Sequence, residues 1–123
     1  MFYEKNTSGK HMICDFKEIA NIELLNDCFS LKNMLFDICE KHNFQVLNIV
    51  SHNFEPIGCS ILILLSESHI SIHTFPEKLY LAFDIYTCRE YSNNDCYNEI
   101  YDNIKKLLQA SNESECKIID RYF

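Results

Sequence analysis

The residues best suited to chemistry lie close together in the stretch SESHISIHTFPE, at positions 66–77. This stretch holds Ser68, His69 and His73, and a strand-like segment that follows it ends at Cys88. Hydroxyl, thiol and imidazole groups are used by proteins as nucleophiles, bases and metal ligands. Each of these residue types taken alone is usually structural, so only their clustering indicates a functional site.

One interpretation of the cluster is a metal site. His69 and His73 are four residues apart, so a regular strand would direct both side chains to one face, and Cys88 could join them from a neighbouring strand. Three such ligands and one open position form a known catalytic zinc arrangement. However, the sequence has neither a fourth ligand at a typical spacing nor a glutamate motif of the zinc-hydrolase type, and we expect no metal.

A second interpretation is a hydrolase with Cys88 or Ser68 as the nucleophile and a histidine as the base. Ser68 lacks the Gly-x-Ser-x-Gly turn that exposes a nucleophilic serine after a strand. A pair of Cys88 and His73 is geometrically possible, but the sequence does not show that these side chains meet.

Eight predicted elements must position these residues. Helical periodicity starts near Asn26, with Asn26, Asp27 and Ser30 as candidate N-caps. It returns within 92–111, where one predicted apolar face holds Cys96, Ile100, Ile104, Leu107 and Leu108. Patterns typical of strands occupy six stretches, among which the run CSILILLS predicts a strand buried on both faces: 9–16, 44–54, 59–66, 69–75, 79–88 and 115–123. The order β-α-β-β-β-β-α-β predicts an α+β fold, a two-layer sandwich of a largely antiparallel sheet with two helices on one face.

The composition limits the possible partners and the cellular setting. The 123 residues suffice for one domain, and the formal charge of −7 argues against a nucleic acid or an anionic membrane surface as partner. Seven cysteines without a C-x-x-C pair, and a chain start without a signal-peptide pattern, favour a reducing cytoplasmic setting. The longest apolar run, ILILL, is too short to span a bilayer.

Several motifs together resemble the prokaryotic S-adenosylmethionine decarboxylase proenzyme family, whose members generate their own pyruvoyl cofactor. The run ESHISIHTFPE followed by DIYTC carries the resemblance, and GKHMICDF, HNFEPIGCS and the order of the helices extend it from about Gly9 to the last strand. The resemblance implies that residues 1–123 form one pyruvoyl-dependent decarboxylase domain. It further implies a homodimer with sites near the protomer interface, acting on S-adenosylmethionine for polyamine (spermidine) synthesis.

The resemblance also implies self-cleavage between Glu67 and Ser68 into fragments 1–67 and 68–123. The Ser68 hydroxyl would attack the Glu67 carbonyl to give an ester, and β-elimination followed by hydrolysis would leave a pyruvoyl group and ammonia. That group forms a Schiff base with the substrate amine during decarboxylation. Only a residue with a β-hydroxyl or β-thiol can follow this course, which explains a serine at position 68.

The family assigns roles to three further polar residues. Those matching His73 and Ser60 assist processing, and the one matching Cys88 donates the proton that replaces carbon dioxide. Ser68 and His73 are five residues apart, which places them on opposite faces of a regular strand. We therefore expect an irregularity of the chain at the cleavage point to bring them together.

Substrate contacts follow from the same resemblance. Phe54 and Phe75 match rings that sandwich the adenine, although core packing would also explain each of them, and Glu77 matches the residue that binds the ribose hydroxyls. Many family members have glycine after the catalytic cysteine, whereas this chain has Arg89. That difference keeps two alternatives open: a pyruvoyl decarboxylase of another amino acid (ornithine or arginine), or an unprocessed relative that serves as a binding or regulatory partner.

Overall fold

Six strands and three α-helices make up residues 6–123, the part of the chain that the computed structural model describes. Residues 1–5, which belong to the predicted domain 1–123 and to the chain start discussed above, lie outside the described residues. The elements run in this order: β1 (Thr7–Phe16), α1 (Ile22–Leu25), α2 (Cys28–Lys41), β2 (Val46–Asn53), β3 (Cys59–Leu65), β4 (Ser68–Phe75), a 3₁₀ turn (Pro76–Lys78), β5 (Tyr80–Thr87), α3 (Asp95–Leu108) and β6 (Glu115–Tyr122).

The six strands form one antiparallel sheet in the order β2-β3-β4-β5-β1-β6. Strands β2 to β5 follow one another as hairpins, and β1 pairs with both β5 and β6. The two long helices pack on one face of this sheet around a single core. The predicted α+β sandwich and the predicted order of its main elements are confirmed, and the short helix α1 is an addition that the sequence pattern did not indicate.

Local sequence explains where the long helices begin and which face they bury. Among the three candidate caps of α2 the structure selects Asp27, whose Oδ1 accepts a hydrogen bond from the Ser30 N–H at 3.2 Å. In α3 the predicted apolar face included Leu107, but this side chain is exposed and Tyr97 is fully buried instead. The Tyr97 hydroxyl forms a 2.8 Å hydrogen bond with the Thr87 side chain, which offsets the cost of burying it.

Strand β3 shows that the sheet is covered on one face alone within the protomer. Ile61 and Ile63 point into the core and are at most 1% exposed, whereas Leu62 and Leu64 are 48% and 53% exposed on the opposite, open face. The prediction that β3 is buried on both faces is therefore wrong for the protomer, because the helices form a layer on one side of the sheet. None of the helices among residues 6–123 has the length and apolar character that crossing a membrane requires.

Candidate active site

The predicted cleavage bond lies in the tight turn between β3 and β4. Ser68, the first residue of β4, has a φ of +147°, a backbone conformation that L-residues rarely adopt and that stores local strain. The Glu67 carbonyl oxygen accepts a hydrogen bond from the Cys88 backbone N–H at 2.9 Å. A donor at this oxygen polarises the carbonyl and would stabilise negative charge that develops on it during nucleophilic attack.

The side chain of Glu67 is held as firmly as its main chain. One carboxylate oxygen accepts the Gln45 N–H at 3.1 Å, and the other forms a 3.0 Å ion pair with Arg89. Partial burial raises the pKa of Glu67, but the hydrogen bonds from Gln45 and Arg89 outweigh that effect and lower it. Glu67 therefore stays ionised next to the predicted cleavage bond.

Cys88 is exposed and follows β5, the strand that pairs with the beginning of β4. Its backbone position depends on Gly9, which has a φ of +130° and lies against the end of β5. A Cβ at Gly9 would come within 1.9 Å of the Thr87 carbonyl oxygen and 2.8 Å of the Cys88 Cα. Only glycine fits this contact, so the glycine of the GKHMICDF motif sets the path of the chain into Cys88.

A second group of predicted site residues lies at the far end of the same hairpin. Ser60 on β3 and His73 on β4 are directly paired, and the Ser60 hydroxyl is 2.6 Å from His73 Nδ1. If the hydroxyl donates to Nδ1, the other ring nitrogen remains open for proton transfer. Both side chains project from the open face of the sheet, as the alternation of burial along β3 and β4 shows.

The three predicted substrate-binding residues join Ser60 and His73 around one cleft of about 380 Å³: Phe54, Phe75 and Glu77. Phe54 is 50% exposed and Phe75 is 43% exposed. Core packing therefore does not explain either ring, which was the alternative that the sequence left open. The arrangement offers two apolar ring surfaces and one carboxylate to a bound molecule.

The two groups are well separated within the protomer. β4 pairs regularly with β3 from Ser68 to His73 and with β5 from Ser68 to Phe75. The five-residue step from Ser68 to His73 therefore spans about 16–17 Å. The expected irregularity exists at Ser68 but does not bring the two residues together within one chain.

The same spacing argues against the two other sequence interpretations. Cys88 lies at the Ser68 end of the hairpin, because Ser68 pairs with Thr87, whereas His73 pairs with Ala82. His69 and His73 share the open face but lie about 13 Å apart along the strand. Neither a Cys88–His73 nucleophile pair nor a metal site of His69, His73 and Cys88 forms within the protomer.

Sequence reasoning missed a polar cluster in the middle of the open face. His11 Nε2 and His69 Nε2 lie 2.5 Å and 3.1 Å from the same Asp84 oxygen, and Ser71 donates to the other oxygen. Burial raises the pKa of Asp84, but the hydrogen bonds from these three side chains outweigh it and lower the pKa. The four residues come from β1, β4 and β5, so strand register assembles the cluster. Its sequence signal was the presence of these residues in the GKH, SHIS and DIYTC motifs.

This cluster has the ligand types of a metal site, and its three candidate ligand atoms lie within 4.8 Å of one another. Arg121 lies 3.0 Å from His11 Nδ1, and because a guanidinium can only donate, the His11 proton sits on Nε2 and faces Asp84. His11 Nε2 thus has no lone pair to offer a metal. The geometry favours a hydrogen-bonded network that orients both histidines.

Comparisons with known proteins identify the family of this chain. Residues 10–121 match a family model described as S-adenosylmethionine decarboxylase. An S-adenosylmethionine decarboxylase proenzyme 2 of Bacillus cereus is 44% identical over 85 residues, which cover 69% of this chain and 68% of the relative. An S-adenosylmethionine decarboxylase proenzyme of a Synechococcus strain is 38% identical over 103 residues, covering 83% and 80% of the two chains.

A solved structure shares the fold. The crystal structure of the adenosylmethionine decarboxylase from Aquifex aeolicus aligns with a TM-score of 0.82 at 24% identity, covering 96% of this chain and 93% of that chain. The resemblance that the motifs indicated is confirmed by the family model and by both sequence relatives. This chain belongs to the S-adenosylmethionine decarboxylase family.

Proposed function

We propose that this chain is a self-processing S-adenosylmethionine decarboxylase that generates its pyruvoyl group from Ser68. The observation that carries the proposal is the geometry of the Glu67–Ser68 bond. The serine is held at a strained positive φ, and the carbonyl that it would attack is polarised by the Cys88 N–H at 2.9 Å. A plain β-turn requires neither feature at this bond.

The cleavage reaction balances with groups that the chain supplies, together with water. The Ser68 Oγ bonds to the Glu67 carbonyl carbon, the bond from that carbon to the Ser68 nitrogen breaks, and the hydroxyl proton passes to the freed amine. Loss of the Ser68 α-proton then breaks the bond between Cβ and Oγ, and this oxygen leaves with Glu67 as part of its new carboxylate. Hydrolysis of the resulting enamine releases ammonia.

A pyruvoyl group at position 68 would supply an electrophilic ketone for the substrate amine and, in the adjacent amide carbonyl, an acceptor of electrons for decarboxylation. The fit of the site to this group rests on Ser68 itself, which begins β4 at the turn and is only partly buried. Cys88 is exposed beside it and can deliver the proton that replaces carbon dioxide.

We further propose that the active form is a homodimer in which the open sheet faces pack against each other. Within one protomer about 16–17 Å separate Ser68 from the Ser60–His73 pair. A two-fold axis that crosses β4 at right angles, midway between Ser68 and His73, would place the Ser68 end of one hairpin over His73 of the partner subunit. The open face also carries five large apolar side chains with exposures of 41–62%: Ile13, Val50, Leu62, Leu64 and Ile119.

The cleft at the Ser60–His73 end supports S-adenosylmethionine as the substrate. Exposed rings of Phe54 and Phe75 suit stacking on an adenine, and Glu77 suits the ribose hydroxyls. The formal charge of −7 favours a cationic sulfonium. The product would supply aminopropyl groups for spermidine synthesis. The seven free cysteines are consistent with a reducing cytoplasm as the setting of the reaction.

The direct test is the intact mass of the purified protein and of its Ser68→Ala variant. We expect the wild-type protein to give fragments 1–67 and 68–123, with a ketone on fragment 68–123. The Ser68→Ala variant should give one uncleaved chain. Release of carbon dioxide from S-adenosylmethionine, ornithine and arginine would then identify the substrate. An uncleaved wild-type chain after prolonged incubation would reject the proposal and favour a binding or regulatory role.

A further inference from the structure

Arg89 connects the two sides of the predicted cut. Its guanidinium forms the 3.0 Å ion pair with Glu67, donates to the His42 carbonyl oxygen at 2.6 Å and also donates to the Asn43 carbonyl oxygen. All three acceptors belong to residues 1–67, whereas Arg89 belongs to residues 68–123. The planar guanidinium, with several donors in a fixed geometry, suits such a set of acceptors better than an ammonium group does.

The environment of these contacts strengthens them. The Arg89 side chain is 28% exposed and the Glu67 side chain is 17% exposed, so solvent screens the ion pair only partly. The guanidinium carbon lies 4.6 Å from the centre of the Phe44 ring, which adds a cation–π contact and limits the rotation of the side chain. Contacts with residues 42–44 and with Glu67 therefore fix the position of the Arg89 guanidinium.

Two consecutive residues hold the same glutamate. The Cys88 N–H donates to the Glu67 main-chain carbonyl, and Arg89 binds the Glu67 carboxylate. Movement of the Glu67 side chain would thus be transmitted to the carbonyl that Ser68 must attack. The two contacts fix the Glu67–Ser68 bond and the Glu67 side chain relative to Cys88.

We propose that Arg89 is a positioning residue that holds Glu67 in register with Cys88 before and after cleavage. Before cleavage it aligns the Glu67 carbonyl for attack by the Ser68 hydroxyl. After cleavage it ties Glu67, now the C-terminus of fragment 1–67, to fragment 68–123 beside Cys88. Arg89 gains and loses no proton in either state, and this inference rests on the self-cleavage proposed above.

The test measures the rate of self-cleavage of newly synthesised protein by intact mass after translation is stopped. Arg89→Gly is expected to slow cleavage by about tenfold or more, the effect of losing hydrogen bonds to a charged group. Arg89→Lys should restore part of the rate, since it keeps the charge but loses the planar donor set. The matched control is Lys41→Ala, which removes a 2.6 Å ion pair with Glu99 between two exposed side chains, and it should cleave at the wild-type rate.

Two further measurements separate positioning from a general loss of structure. Methylguanidinium added to Arg89→Gly should speed cleavage more than the same concentration of methylammonium does, because only the guanidinium has the planar donor set. In a double-mutant cycle, Glu67→Gln should add little further slowing to Arg89→Gly, because both changes remove the same contact. Additive effects in this cycle would overturn the proposal.

The outcomes also distinguish this inference from the proposed function. If the wild-type chain cleaves and Arg89→Gly cleaves equally fast, the role of Arg89 is rejected and the proposed function stands. If Arg89→Gly is slow and has lost the native circular dichroism spectrum, Arg89 acts on the fold and the positioning role is rejected. The positioning role is also rejected if the spectrum is native but methylguanidinium gives no rescue. If the wild-type chain does not cleave at all, both proposals fail.

Discussion

The two ends of the β3–β4 hairpin are built differently, although each carries half of the predicted site. At the turn end, main-chain groups dominate: Ser68 has a positive φ, and the Cys88 N–H binds the Glu67 carbonyl. At the other end, side chains dominate: Ser60 and His73 form a pair on the open face beside two exposed phenylalanine rings. The turn end is assembled by folding alone, whereas the other end presents groups that lack a reacting partner within the protomer.

This difference explains the open face of the sheet. A protein whose two half-sites lie about 16–17 Å apart on one surface can unite them by pairing that surface with a copy of itself. The apolar side chains of β3 on this face, which made the strand look fully buried in the sequence, then gain a function in the proposed dimer.

The largest effect is expected from a charge placed on the open face. Leu64→Asp should leave the protomer folded, because Leu64 is 53% exposed and lies next to the polar residues Asn48 and His69. In the proposed dimer the new carboxylate would be buried in the interface without a partner, which should abolish dimerisation and with it cleavage. Sedimentation velocity and intact mass would measure the two losses.

Phe29→Asp provides the control for that substitution. Phe29 is 71% exposed but lies on α2, on the opposite side of the sheet. This variant should remain dimeric and cleave normally. A dimeric Leu64→Asp protein, or a Phe29→Asp protein that becomes monomeric, would contradict the assignment of the open face as the interface.

An intermediate effect on stability is expected at the glycines near the two ends. Gly9→Ala at the turn end places a Cβ 1.9 Å from the Thr87 carbonyl oxygen, and should lower the free energy of unfolding by about 2–4 kcal/mol. At the other end, the new Cβ of Gly58→Ala would lie 3.3 Å from its nearest atom, the Thr74 carbonyl oxygen. This substitution should lower the free energy of unfolding by only about 1–2 kcal/mol, because of the positive φ at position 58. Urea unfolding would measure both, and equal losses would show that the close approach at Gly9 is unimportant.

The smallest effect is expected midway between the ends, at Asp84. Hydrogen bonds from Ser71, His11 and His69 outweigh burial and lower the pKa of Asp84 below its ordinary value of 3.8. A lowered folded-state pKa adds stability above the unfolded-state pKa, and that stability is lost as the pH falls through the folded-state pKa. Asp84→Asn should therefore reduce the loss of stability below about pH 4.

The Asp84 prediction is measured by unfolding in urea at several pH values. Asp37→Asn, on the exposed side of α2, serves as the control and should retain the wild-type pH dependence. An Asp84→Asn protein with an unchanged acid dependence would show that the cluster does not favour the ionised carboxylate.

The sequence predicted the elements well because their signals are local. Alternation and helical periodicity identified the order of strands and helices, and Asp27 was among the predicted caps. The burial of Tyr97 in place of Leu107 was missed, since it depends on a hydrogen bond to Thr87 from another element. Likewise, the apolar residues of β3 do not indicate whether helices, a second sheet or solvent cover each face of the strand.

Motifs in the sequence named the candidate site residues, whose roles stay predictions, but they did not indicate how these residues are arranged. Motifs identified Glu67, Ser68 and His73, yet only the register of the hairpin shows that they belong to two groups. The His11–Asp84 contact joins residues 73 positions apart, and no sequence spacing indicates it. Arg89 stood out in the sequence as a difference from the family, and its contacts with three groups among residues 1–67 came from the fold.

Complementation between two inactive variants would show whether the proposed site is shared between two protomers. Ser68→Ala keeps the Ser60–His73 pair but lacks the nucleophile, and His73→Ala keeps the nucleophile but lacks the base. Each is expected to remain uncleaved alone. When the two are unfolded and refolded together, the proposed dimer predicts that the His73→Ala chain is cut into 1–67 and 68–123 while the Ser68→Ala chain stays intact. If the His73→Ala chain stays uncut although mixed dimers form, His73 does not act across the interface. The proposal that the dimer unites Ser68 with His73 of the partner subunit is then wrong.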